Sequence, residues 1–400
     1  MFDTPTIFSF FSGAGFLDLG FELNGYRIVY VNEVFLPFLE AYQYSRKNLK
    51  LPEEKYGYEN CSIEDYLQPK NQAKLKDLLQ DTRKSSSLVG FIGGPPCPDF
   101  SIGGKNRGHE GDHGRLSEIF AEIICQQKPD FFLFENVKGL WQTKKHRQFY
   151  EYLKEKFYSS GYILTEHLIN AIEYGVPQDR DRIILIGFLS DIFSVKINKN
   201  KKYELNFPWH NLKSYLKEDV LKLDWPKVHN FEEDSYLDCP HNIPQELTVE
   251  YWFRKNDVLN HPNAKHHFMP RSGITRFRVI QEGDDSRKSF KRLHRWRYSP
   301  TVCYGNNEVH LHPYKIRRIS VAEALALQSL PQEYLLPPNM TLTNMFKTIG
   351  NGVPYLAGSA IAKSILFFLE SLQNNQLDIN LKLEETPECK QIQLELALNF

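Results

Sequence analysis

Over the first 190 residues, short apolar β-prone runs alternate with stretches of helical periodicity, and that order leaves few folds open. Thr6 to Phe11, Tyr26 to Asn32, Leu88 to Ile92, Asp130 to Glu135 and Arg182 to Phe188 read as strands. Phe16 to Leu23, Phe35 to Arg46, Leu116 to Gln126 and Arg147 to Ser159 read as the helices between them. A parallel return needs a crossover, so the alternation predicts an α/β fold with a mostly parallel sheet wound on both faces. Ligands of such sheets gather past the carboxyl ends of the strands.

After Leu189 the chain turns to Lys, Asn, Trp, Pro and His without clear periodicity until about Lys315, and this reads as a smaller, irregular lobe. Helical pattern returns at Ile319, and a second strong helix runs from Pro354 to Ser371. The expected organisation is therefore 1–189, a lobe at 190–316, a return to the first domain at 317–371, and an extension at 372–400 with no readable motif. Met1 to Phe11 lacks the basic start of a signal peptide, and the apolar runs read as strand-length, so the expectation is a cytoplasmic protein with no membrane span. Six cysteines without paired spacing indicate neither zinc nor disulfides, and no metal is expected. Charge balances at 49 basic against 49 acidic residues, but Tyr251 to Pro300 holds twelve Lys and Arg against four Asp and Glu, with aromatic residues interleaved. That stretch is a candidate nucleic-acid surface.

Four segments carry chemistry. Gly93 to Ser101 reads Gly-Gly-Pro-Pro-Cys-Pro-Asp-Phe-Ser just after a strand, which fixes Cys97 on a stiff loop as a candidate thiolate nucleophile. Residues 10 to 20 form a glycine turn, but Asp18 stands where a dinucleotide fingerprint wants a third glycine, so a nucleoside fits better than a pyrophosphate. Glu33, at the end of the second strand, is placed for ribose hydroxyls. Glu135 would emerge on the same sheet edge as Cys97. Strand alternation would set Gln178, Arg180 and Arg182 on one face, where guanidiniums could hold a carbonyl oxygen.

In this order the motifs resemble the cytosine-C5 DNA methyltransferases, which use S-adenosylmethionine. The resemblance covers nearly the whole chain: Phe11 to Gly15, Glu33, Pro96-Cys97 with Phe100-Ser101, Glu135-Asn136-Val137, Gln178-Arg180-Arg182, Arg318 with Glu323, and Gly350 to Pro354. It implies a Rossmann-like methyltransferase sheet whose target-recognition domain is the lobe at 190–316. It further implies that Cys97 attacks C6 of a cytosine flipped from duplex DNA, that Glu135 contacts N3 and the exocyclic amine, that Arg182 holds O2, and that Arg180 positions the nucleotide. Phe11, Gly13, Gly15, Phe16, Glu33, Val34, Ser62, Ile63, Pro96, Leu116, Asn351 and Val353 would hold S-adenosylmethionine and its product S-adenosylhomocysteine. Ser101, Gln178, Arg276, Arg278, Arg295 and Trp296 are the expected DNA contacts.

Three positions depart from the family pattern: Pro98 follows the nucleophile where Gln is usual, Ser62 stands where Asp is frequent, and Gly352 where Ser is frequent. The resemblance also implies a cognate restriction endonuclease as functional partner, and one flipped base per event requires only a monomer. Two alternatives stay open, a tRNA methyltransferase of the same architecture and a silent sequence-specific DNA-binding protein. No Cys-Phe-Thr motif of the tRNA branch lies between 190 and 316.

Overall fold

A computed structural model of the chain describes residues 4–96, 112–193, 203–270, 274–287, 289–302, 304, 308–374 and 382–383. The first part runs β1 (Thr6–Phe10), α1 (Phe16–Glu22), β2 (Arg27–Asn32), α2 (Leu36–Leu49), β3 (Tyr58–Glu59), α3 (Pro69–Arg83), β4 (Val89–Gly93) and α4 (Asp112–Gln127). It continues with β5 (Phe131–Val137), α5 (Lys138–Gln142), α6 (Lys144–Ser159), β6 (Tyr162–Asn170) and β7 (Asp181–Leu189). The lobe adds β8 (Tyr203–Glu204), α7 (Lys217–Lys222), α8 (Val249–Lys255) and α9 (Ile274–Val279). The described residues close with α10 (Val321–Leu327), α11 (Leu342–Asn351), α12 (Tyr355–Gln373) and β9 (Lys382–Leu383).

Among the described residues, nine strands form one sheet in the order β3-β2-β1-β4-β5-β7-β6-β8-β9. From β3 to β5 every pairing is parallel, as the sequence predicts, and all five residues of β1 are buried, as a strand covered on both faces requires. Past β5 the sheet departs from that reading, because β7 runs antiparallel to both β5 and β6. The β6 strand was not expected: Thr165, Glu166 and His167 interrupt its apolar run, and three of its middle residues are only half-buried. Strand order reverses between β1 and β4, and in open α/β sheets the carboxyl edge at such a switch point is where a ligand crevice forms.

One face of the sheet packs against α1, α2 and α12 through Leu17, Phe21, Leu39, Tyr42, Ile361, Ile365 and Phe368. The other packs against α3, α4 and α6 through Leu75, Leu79, Phe120, Ile124, Leu153 and Phe157. A stretch long and apolar enough to cross a membrane does occur, at Leu342–Gln373, beyond the strand-length runs expected. About two-thirds of its most apolar window is buried, where α12 covers the sheet.

A third core joins Ala14, Phe16 and Leu19 of the first segment to Trp252, Phe253, Leu293 and Val302 of the lobe, and to Ile319, Leu325, Tyr334 and Ile349 of the returning chain. The lobe is thereby fastened to the crevice. Inside the lobe, side chains replace backbone ladders: the buried Arg292 donates to the carbonyls of Phe277, Ile280, His312 and Lys315 and stacks 3.8 Å over Phe231.

Candidate active site

The crevice begins at a turn that leaves β1 through left-handed backbone, with φ of 51° at Phe11, 56° at Gly13 and 78° at Gly15. A Cβ on Gly15 would stand 2.4 Å from the Tyr42 ring, so close packing as well as φ requires glycine. At the end of β2, Glu33 accepts the Gly13 amide on one oxygen and the Phe35 amide on the other, each at 2.9 Å. Burial pushes its carboxyl above the usual range, against the pull of those two amides. The carboxylate thus ties the glycine turn to the next strand.

The remaining residues expected at the cofactor differ in burial and in the cores they join. Val34 is exposed, Pro96, Leu116 and Ser62 are half-buried, Asn351 is exposed, and Phe16, Ile63 and Val353 lie in apolar cores. Ser62 caps a short 3-10 helix, Ile63–Leu67, by accepting from Glu64 N, while Asp65 accepts from Ser62 N. Glu64 pairs with Arg115 at 3.3 Å. A Cβ at Gly352 would meet the Phe16 ring at 2.2 Å, which accounts for glycine there.

On the other side of the switch point, β4 ends at Gly93, and Gly94 just after it approaches Glu135 of β5. Cys97 and Ser101 lie outside the described residues. The described start of their loop is informative, because a Cβ on Gly94 would stand 2.7 Å from Glu135 Oε2. Arg182 on β7 is opposite Val137, hence diagonal to Glu135 on the same face, and its Nε lies 2.8 Å from Glu135 Oε1. Burial raises the Glu135 carboxyl, with Arg182 and then Arg180 opposing.

Gln178 and Arg180 do not follow the expected strand alternation, since β7 starts only at Asp181. Arg180, 1% exposed, donates to the carbonyls of Val302, Gly350 and Gly352, so it clips both the lobe and the returning chain to the sheet edge. Gln178 is fully buried and bonds to Leu327 O and Val302 N; it is a tie between segments rather than the DNA contact expected.

In the lobe, Arg276 and Arg278 are exposed on α9 beside the exposed Ile274 and Val279. Arg295 and Trp296 are corrected in the same way as Gln178: both are 4% exposed. Arg295 is bound to Glu282, and the Trp296 indole donates to Leu237 O. His229, Glu282 and His294 bring three ligand-type atoms within 4.8 Å, and Glu282 is already ion-paired to Arg295. Trp296 N donates to His294 Nδ1, which keeps the neutral ring's proton on Nε2 and leaves no lone pair for a metal. Burial holds that ring neutral, with its pKa pushed down to about 4, and Arg295 takes both Glu282 oxygens.

Residues missed in the sequence include Gly94, which lies against Glu135, and Arg46 and Tyr334, which lie behind the glycine turn. Arg46 did carry a signal: it occupies the apolar stripe of α2 with Phe38, Leu39, Tyr42 and Ser45, where a charge needs a reason.

Fold and site together define an α/β protein with a glycine turn and a carboxylate at the strand switch and a buried carboxyl–guanidinium pair beyond it. A model of the C-5 cytosine-specific DNA methylases matches residues 6–366. The Type II methyltransferase M.NmeDI of Neisseria meningitidis serogroup C is 56% identical over 365 residues, covering 91% of this chain and 84% of that one. M.MthTI of Methanothermobacter thermautotrophicus is 27% identical over 92% of this chain and 99% of its own. A prophage-encoded candidate DNA modification methyltransferase of E. coli shares the fold, with a TM-score of 0.62 at 20% identity over 92% of this chain and 100% of that one. The chain belongs to the C-5 cytosine-specific DNA methylase family, and its activity is DNA (cytosine-5)-methyl transfer.

Proposed function

We propose that the chain flips a target cytosine out of duplex DNA and methylates its C5 through a covalent bond between Cys97 and C6. One observation carries this reading. A buried carboxyl with a raised pKa, Glu135, is paired at 2.8 Å to Arg182 and lies against Gly94, three residues before Cys97.

C5 of cytosine is too weak a nucleophile to be alkylated unaided. Addition of the Cys97 thiolate to C6 forms an S–C6 bond and moves the C5=C6 electron pair toward C5, with negative charge spreading to O2 and N3. Arg182 donates to O2. Glu135, whose burial favours the protonated form, donates to N3 and accepts from the exocyclic amine. When bound, S-adenosylmethionine supplies the methyl group as a sulfonium and leaves as S-adenosylhomocysteine. Removal of the C5 proton by a base restores the C5=C6 bond and expels the thiolate. The glycine turn at 11–16 and Glu33 suit the nucleoside part of that cofactor, because they stand at the strand switch with a carboxylate aimed at the turn.

Flipping costs a few kcal/mol, which basic residues of 251–300 offset through phosphate contacts, with Arg276 and Arg278 on exposed α9 the leading candidates. Residues 1–189 and 317–371 form the catalytic unit, and 190–316 recognise DNA. The protein acts as a cytoplasmic monomer, and the Type II relatives support pairing with a restriction endonuclease.

The test is incubation with tritiated S-adenosylmethionine and unmethylated genomic DNA, then bisulfite sequencing, with Cys97→Ala in parallel. Protected cytosines in one short motif, lost in the variant, support the reading. Label in tRNA, or tight DNA binding without label, replaces it with one of the two alternatives.

A further inference from the structure

The glycine turn is held from behind by residues that the mechanism above does not use. Arg46 on α2 is 2% exposed, and its guanidinium donates to Ala14 O at 3.3 Å, to Gly15 O at 2.7 Å and to Glu22 Oε2 at 2.6 Å. The Tyr334 hydroxyl, from the returning chain, donates to the same Ala14 O at 2.6 Å. The Tyr42 ring lies under the guanidinium at 4.0 Å and also closes on Gly15.

Burying a guanidinium is costly unless its donors are taken, and an apolar side chain would fill the space without that penalty. Here two donors go to carbonyls of the turn, two to Glu22, which also balances the charge, and one to Ser45 Oγ. A trans peptide points its C=O and N–H in opposite directions. With Gly15 O drawn onto Arg46, the Phe16 N–H at the start of α1 must face away from it. The turn's own backbone supplies part of the selection, with Gly15 N donating to Ser12 O at 2.8 Å and Leu19 N to Gly15 O at 3.0 Å, while the Ala14 carbonyl is held by the side chains of Arg46 and Tyr334.

We propose that Arg46, balanced by Glu22 and assisted by Tyr334, is a positioning residue for cofactor binding. It pulls the carbonyls of Ala14 and Gly15 inward, so the turn is set before the cofactor arrives and little ordering remains to be done on binding. The proposal rests on the reading that S-adenosylmethionine occupies this crevice.

The test is calorimetric titration of wild type, Arg46→Met, Arg46→Lys and Tyr334→Phe with S-adenosylhomocysteine, at a temperature where thermal melts show each protein folded. Loss of a charged hydrogen bond predicts about tenfold weaker binding for Arg46→Met, partial recovery in Arg46→Lys, and about threefold weakening for Tyr334→Phe. The KM for S-adenosylmethionine rises in step, while kcat at saturating cofactor and DNA affinity by gel shift stay at wild-type values. Lowered melting temperatures with S-adenosylhomocysteine affinities within twofold of wild type would overturn the proposal and make Arg46 a packing residue only. If Arg46→Met does not fold, Tyr334→Phe decides alone, since it removes one hydroxyl and keeps the ring. A wild-type protein that does not bind S-adenosylhomocysteine overturns the cofactor reading, and the anchor with it.

Discussion

Glu135 with Arg182 and Glu282 with Arg295 are the same two residue types at nearly the same distance, 2.8 and 2.7 Å, and both carboxylates are buried. Their carboxyls are nevertheless driven in opposite directions. Burial pushes both up. In the lobe, Arg295 answers with its Nε and backbone N–H on one Glu282 oxygen and Nη2 on the other, and these bonds hold the carboxyl below the usual range. At the crevice, Arg182 reaches one oxygen of Glu135 through Nε while the other faces Gly94, and burial wins. A pair with every lone pair engaged holds a fold together, whereas a pair short of partners is ready for a ligand.

The comparison breaks most sharply on activity. Glu135→Gln is expected to cut methyl transfer by about a hundred- to a thousandfold, the range for losing one group that stabilises developing charge. Initial rates with tritiated cofactor measure it, and an unchanged rate would remove Glu135 from the chemistry. Glu282→Gln should leave the rate per folded molecule near wild type but cost about 3 kcal/mol of stability, since it strands a buried arginine. Denaturant unfolding reads that loss; a variant as stable as wild type would show the lobe pair to be dispensable.

The pH dependence sharpens the contrast. The folded pKa of Glu282 lies below its ordinary 4.5, so its stabilisation is present above that value and is lost as pH falls through the lower folded pKa. Glu135 lies above 4.5, so its ionisation disfavours the fold increasingly as pH rises from 4.5 through its folded pKa. Melts from pH 3 to 8 should therefore show Glu282→Gln converging on wild type toward acid and Glu135→Gln gaining on it toward neutrality. Parallel curves would contradict both assignments. The smallest effect is expected from Gly94→Ala. Its methyl group meets the mobile end of Glu135 rather than backbone, so kcat should fall about tenfold with stability changed by less than about 1 kcal/mol, as measured by rates and melts.

Most of the parallel half of the sheet was legible because its strands are dominated by apolar, β-prone residues, and β1, β2, β4 and β5 fall within two residues of expectation, while the two-residue β3 carries no such run. The β6 strand was not legible, because a strand carrying Thr-Glu-His in its middle lacks that signature. The α3 helix was missed for a related reason, since only Leu75, Leu79 and Thr82 of its fifteen residues are buried. At the crevice, Glu33 and Glu135 were readable as acids at strand ends. Gln178, Arg295 and Trp296 misled because residue type signals polarity and not burial, and each of their polar groups finds a partner distant in sequence. Arg46 and Tyr334 act on a turn 31 and 320 residues away, a relation that no local pattern encodes.

The most direct test of the account is covalent trapping on DNA carrying 5-fluorocytosine at the methylated site, because fluorine at C5 cannot leave as the proton does and the Cys97–C6 bond then persists. Denaturing gels should show a protein–DNA adduct with wild type and Glu282→Gln, little with Glu135→Gln, and none with Cys97→Ala. An adduct that survives in Cys97→Ala, or forms equally in Glu135→Gln, would contradict the account.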